Sequence, residues 1–125
     1  MKLALICLLG LALVSGCGSD VNPRSQTPAE VYTSKKAAKS LVQCLLPALS
    51  AGYSRQLIGH AEFEQHMVDA GEYDLVPSGQ LVYGHYTFTV NVKQGAQDSA
   101  VAFYFDPISP KPIISDVRTA LTGCL

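Results

Sequence analysis

The sequence predicts an α+β domain in which an N-terminal helix packs on a three- to four-stranded antiparallel sheet, joined by a short second helix and a C-terminal helix. Three observations lead there. Val82, Gly84, Tyr86, Phe88, Val90 and Val92 alternate with Tyr83, His85, Thr87, Thr89, Asn91 and Lys93, an apolar set against a polar one, which is the period of a half-buried strand. Ser99, Val101, Phe103 and Phe105 repeat that alternation after Gln94 to Asp98, a connection of hairpin length that contains Gly95. Helical spacing instead governs Ala38, Leu41, Val42, Leu45 and Leu49, with Lys35, Lys36 and Lys39 as a solvated face.

Taken in order, the elements have local signals. Thr27-Pro28-Ala29-Glu30 fits a capping box, with proline at the first helical position and Glu30 able to reach back to the Thr27 amide. A regular helix is therefore expected over 28–46, kinked or ended by Pro47, with one further turn over Ala48 to Ser50. Phe63, Met67 and Ala70 at i, i+4 and i+7, between Gly59 and Gly71, predict the short second helix over Ala61 to Ala70. A lone hairpin is marginal in water, so Tyr73 to Val76 is the candidate third strand, ended by Pro77-Ser78-Gly79. Pro107, Pro110 and Pro112 keep Asp106 to Pro112 out of any central strand. Ser115 then caps a last helix with Ile114, Val117 and Leu121 along one side and Gly123 at its end.

The chain has 125 residues, 48% of them hydrophobic and 15% charged. One folded domain is the limit at this length. The apolar excess lies in Leu3 to Val14, preceded by Lys2 and followed by the small residues Ser15 and Gly16. That run is too short to cross a bilayer, which takes about 20 residues, and matches a secretory signal peptide. Val14-Ser15-Gly16-Cys17 resembles the lipobox of bacterial lipoproteins. The resemblance implies cleavage between Gly16 and Cys17, a diacylglycerol on the Cys17 thiol and a further acyl chain, such as palmitate, on its amino group. It divides the chain into a signal peptide (1–16), a lipidated cysteine with a flexible polar tether (17–27) and a single domain (28–125). In lipoproteins of enterobacterial type, aspartate after the acylated cysteine retains the protein in the inner membrane; Gly18 stands there, so the outer membrane is favoured.

With Cys7 in the signal peptide and Cys17 committed to lipid, Cys44 and Cys124 are left as a pair, and an oxidising envelope compartment favours one disulfide between them. The net charge of −1 argues against a nucleic-acid surface or a polybasic membrane patch. His60, Glu62, Glu64, His66 and Asp69 form the densest group of possible metal ligands or acid–base residues, and on a helix Glu62, His66 and Asp69 would share a face. The His-Glu-x-x-His spacing of zinc proteases is absent, as are a Gly-x-Ser-x-Gly elbow and a phosphate-binding glycine loop. His85 falls on the polar side of the main strand. The expected function is that of a lipid-anchored, non-enzymatic interaction module. Its partners are the bilayer, through Cys17, and an envelope protein, and it uses no cofactor and binds no nucleic acid. The alternative is an envelope hydrolase or metal-binding protein using His60, Glu62 and His66.

Overall fold

The computed structural model describes residues 22–54, 62–79, 81–82, 84–107 and 109–125. Its elements run from a 3₁₀ turn (Pro23–Ser25) through β1 (Glu30–Ser34), α1 (Ala38–Ser54), β2 (Phe63–Asp69), β3 (Glu72–Pro77), β4 (Leu81–Val82), β5 (His85–Tyr86), β6 (Phe88–Gln94) and β7 (Ser99–Phe105) to α2 (Lys111–Cys124). The α+β class holds; among the described residues the sheet is larger and the helices fewer than expected. Five strands form one antiparallel sheet in the order β1-β7-β6-β3-β2, and β4 and β5 make a separate two-stranded hairpin. Among the described residues, no helix is long and apolar enough to cross a membrane.

Two segments expected to be helical are strands. Glu30 lies in β1 opposite Phe103, not in a capping box, and the Ala29 amide already donates to the Phe103 carbonyl at 2.9 Å. Val31, Tyr32 and Thr33 favour extended backbone, and the free edge of β7 supplies the ladder they need. Residues 63–69 form β2, so Phe63, Gln65 and Met67 face one side and Glu64 and His66 the other. Gly71, at φ +71°, makes the tight turn into β3 that an L side chain would strain.

Helix α1 starts at Ala38, ten residues later than expected, and has a remote cap. Its Ala38 amide donates to the Gln94 side-chain oxygen at 2.8 Å, so the last residue of β6 satisfies a donor that a local cap would otherwise take. Pro47 sits inside α1 on its exposed side and does not end it. Two turns of helix follow, and there Ser50 Oγ donates to the Leu46 carbonyl and accepts from the Phe63 amide, tying the helix to the start of β2. The expected long strand from Val82 is interrupted: Gly84, at φ +78°, turns the β4–β5 hairpin before β6 begins at Phe88. The β6–β7 connection lies where the alternation placed it, and β3 covers the expected third strand, Tyr73 to Val76. Helix α2 begins at Lys111, one turn before Ser115, with Pro112 in its first turn, where a missing amide hydrogen costs nothing.

Both helices cover the same face of the sheet. Leu41, Leu45, Leu49, Leu75, Val90, Val92, Val101, Phe103 and Leu121 are fully buried between the layers, and Ile113, Val117 and Cys124 extend the apolar stripe of α2. The Cys44–Cys124 disulfide joins the helices across a sequence separation of 80. Ala48, Gly52, Ala120 and Gly123 beside it are small and border an open groove of about 300 Å³ between the helices, and the closest approach is at Gly52, where a Cβ would lie 3.4 Å from the Asp116 carbonyl. Further bonds hold α2 to β1 and to the α1 approach. Lys36 Nζ donates to the Cys124 carbonyl at 2.7 Å, Ser34 Oγ to the Leu125 carbonyl at 3.1 Å, and Arg118 makes a two-pronged pair with Glu30 at 2.8 and 2.9 Å.

The Arg118 hydrogen bonds, assisted by one from the Tyr32 hydroxyl, hold the Glu30 carboxyl below its ordinary value of 4.5, against the opposing effect of burial. Burial and the same bond to Glu30 push the Tyr32 phenol up. A carboxyl with a depressed folded pKa stabilises the fold above its unfolded pKa and loses that contribution as pH falls through the folded one. Melting temperature is therefore expected to fall on acidification below about pH 4.5, and Glu30→Gln to remove part of that dependence while costing stability at pH 7; parallel pH profiles would remove Glu30 as a contributor. Replacing both Cys44 and Cys124 by serine is expected to lower the unfolding free energy by about 4 kcal/mol, the chain-entropy value for a loop of this size. Urea unfolding measures it, and an unchanged midpoint would assign the stapling of α2 to packing alone.

Candidate functional site

Among the described residues no helix covers the other face of the sheet, where polar side chains on β2, β3 and β6 give way to Ala100, Ala102 and the exposed Val31 toward β1. Strand register sets them in rows: His66, Asp74, Asn91, Ala102 and Val31 lie opposite one another from β2 to β1, and Glu72, Lys93, Ala100 and Thr33 make the neighbouring row. Glu72 and Asp74 stand two residues apart on β3, so their carboxylates share this face. Asn91, only 6% exposed, donates from Nδ2 to Glu72 Oε1 at 3.0 Å and to Asp74 Oδ1 at 2.8 Å.

An arginine from the N-terminal segment completes the cluster. The 3₁₀ turn Pro23–Ser25, capped by Asn22 Oδ1 on the Arg24 amide at 3.0 Å, lies against β6 and β7 with Pro23 buried. This places Arg24 over the carboxylates. Its Nε donates to Asp74 Oδ2 at 3.2 Å and Oδ1 at 3.3 Å, one Nη lies 3.5 Å from Glu72 Oε1, and the other donates to the Tyr104 hydroxyl at 3.1 Å. The guanidinium carbon stands 4.8 Å from the Tyr104 ring centre, within cation–π range. The segment expected to be a free tether as far as Thr27 is thus docked from Asn22 onward.

A second polar group adjoins it. Glu64 Oε1 lies 3.0 Å from His66 Nε2 and 3.5 Å from the Tyr86 hydroxyl, and Ser78 Oγ donates to Glu64 Oε2 at 3.2 Å. The His66 and Tyr86 rings meet edge to face at 6.1 Å. Between the two groups lies an open cavity of about 250 Å³, bordered by Asn22, Arg24, His66, Asp74, Gly84 and Tyr86. Carboxylates, amide, phenols and an aromatic face equip this surface to recognise cations and hydrogen-bond donors.

The sequence-derived candidates fare unevenly. Gly16, Cys17 and His60 lie outside the described residues. Glu62 and His66 are both exposed, but Glu62 precedes β2 and His66 pairs with Glu64; a strand with a bulge between Met67 and Asp69 replaces the helix face expected to gather Glu62, His66 and Asp69. Among the described residues, no three histidine, cysteine or acidic side chains are gathered as a metal site. His85 lies in the β4–β5 hairpin and not in the sheet. Cys44 and Cys124 are joined. Arg24, Glu72, Asp74 and Tyr104 carry no motif; the polar half of the alternation over β6, with Asn91 in it, is the nearest signal, and nothing in residues 18–27 pairs Arg24 with it.

Neither a known family, nor a characterised protein, nor a solved structure matches the chain. Asn91→Ala is expected to cost about 1 to 3 kcal/mol, because it takes a buried donor from two partly buried carboxylates. Denaturant unfolding reads the loss, and a change of a few tenths of a kcal/mol would show that Arg24 alone suffices to hold the cluster.

Proposed function

We propose that this protein is a small envelope lipoprotein, held in the membrane by acyl chains on Cys17 and acting through its folded domain as a non-enzymatic protein-interaction module. The observation that carries this reading is the order Lys2, Leu3 to Val14, then Val14-Ser15-Gly16-Cys17, which is similar to a lipoprotein signal sequence. The Cys44–Cys124 pair supports it, since a disulfide of this kind persists in oxidising compartments. Several buried acyl chains, each CH₂ contributing about 0.8 kcal/mol, make such attachment durable where one chain would be marginal. Gly18 after the cysteine favours the outer membrane over the inner.

The docked N-terminal segment gives the anchor a geometry. From Cys17 to Asn22 the chain extends at most about 17 Å. The open sheet face, on which Asn22 and Arg24 sit, is therefore held within that reach of the headgroups. The glutamate and aspartate side chains of the open face suit protein contacts better than anionic lipid.

The expected mass of the membrane-extracted protein is that of residues 17–125 plus acyl chains and minus two hydrogens. Cys17→Ser is expected to abolish the acyl mass and the cleavage before residue 17. An uncleaved wild-type chain, or unchanged processing in the variant, would sink the reading.

A further inference from the structure

The Arg24 site has the chemistry of a guanidinium receptor. All three guanidinium nitrogens are engaged, by Asp74, Glu72 and the Tyr104 hydroxyl, while the Tyr104 ring takes the cation's face. A lysine ammonium is a point charge with tetrahedral donors and cannot reach these three partners while lying against the ring. The receiving groups all stand on the three central strands of the sheet: Glu72 and Asp74 on β3, Asn91 on β6 and Tyr104 on β7. Asn91 orients both carboxylates from below, so the acceptors remain in place whichever cation lies on them.

The occupant is held quite differently. Arg24 belongs to a three-residue turn closed by two local bonds, Ser25 N to the Asn22 carbonyl and Gln26 N to the Pro23 carbonyl, both at 3.0 Å. The next backbone bond to the sheet is that of Ala29. A receptor built into the sheet thus faces a ligand carried on a three-residue turn that is held to the sheet by Arg24 and the buried Pro23, a unit small enough to open locally. The cavity beside the guanidinium leaves room along the open face for residues flanking an arginine that arrives from outside.

We infer that the open face of the sheet carries an arginine-recognition site, filled in cis by Arg24, and that an arginine in an extended segment of a partner protein is its competing occupant. Exchange has a mechanical consequence that rests on the lipoprotein reading. With Arg24 seated, the docked turn begins at Asn22, at most about 17 Å of chain from Cys17; with the turn displaced, the first residue bonded to the sheet is Ala29, at most about 40 Å of chain from Cys17. A partner that takes the site therefore also lets the domain stand off from the membrane.

The test uses the detergent-extracted protein and two blocked tripeptides, Ala-Arg-Ala and Ala-Lys-Ala, with the Asn91 side-chain amide and the Arg24 Nε–H as NMR reporters. If the latch is closed in about nine molecules in ten, Arg24→Ala is expected to bind the arginine peptide about tenfold more tightly than wild type. The lysine peptide is expected to bind more weakly, and Asp74→Asn in the Arg24→Ala background to abolish the preference. Equal affinity in wild type and Arg24→Ala, no binding by a folded Arg24→Ala protein, or equal affinity for both peptides would overturn the inference. Glu72→Gln in the same background replaces Asp74→Asn if the latter fails to fold. The mass of the same preparation reports lipid on Cys17, so failure of the anchor and failure of the site are read separately.

Discussion

Pairing of Glu30–Ser34 with Ser99–Phe105 joins a segment near the N-terminus to one some seventy residues later, and much of the architecture depends on it. It makes β1 one edge of the sheet, so α1 must cross the whole sheet to deliver β2 to the other edge. It turns Glu30 toward Arg118 and Ser34 toward the Leu125 carbonyl, tying α2 down beside the disulfide. It also brings the chain in over the open face, so the residues before β1 lie across β6 and β7. Without this pairing the edge of β7 would expose unsatisfied amides and carbonyls, and Arg24 would have no fixed approach to Asp74.

The two faces of the sheet answer to different physics. On the helix side, aliphatic and aromatic residues from five strands and two helices exclude water, and the disulfide restricts how far the helices can separate in the unfolded chain. On the open side, two partly buried carboxylates stand two residues apart on β3 and need a cation or donors close by. Asn91 supplies the donors from within the sheet and Arg24 supplies the charge from outside it. Because both groups remain partly exposed, this ion cluster adds modest stability and works mainly as a positional constraint on the N-terminal segment.

Legibility in the sequence followed the range of the interactions. The alternation of Phe88, Val90 and Val92 against Val101, Phe103 and Phe105 marks a hairpin whose strands are neighbours along the chain, and it was readable. Leu41, Leu45 and Leu49 were readable for the same reason, since one helix face is a local pattern. Residues 30–34 and 63–69 were not: each makes an edge strand, and a strand is stabilised by a partner that local periodicity does not reveal. The start of α1 escaped likewise, because its cap is the side chain of Gln94. In the site, Asp74 was visible only as a residue of the candidate third strand, Glu72 lay just outside it, and Arg24 was one residue of a polar segment.

By itself, then, the sequence determined the α+β class, the central hairpin and the helix stripe, all of which rest on local periodicity. Only the tertiary structure decided that the sheet has five strands with one helix-free face, that Glu62 and His66 do not form a shared site, and that Arg24 lies between Asp74, Glu72 and Tyr104. The β1 edge and the Arg24 cluster need contacts between residues about fifty to ninety positions apart, and such contacts form only after the sheet has brought its strands together.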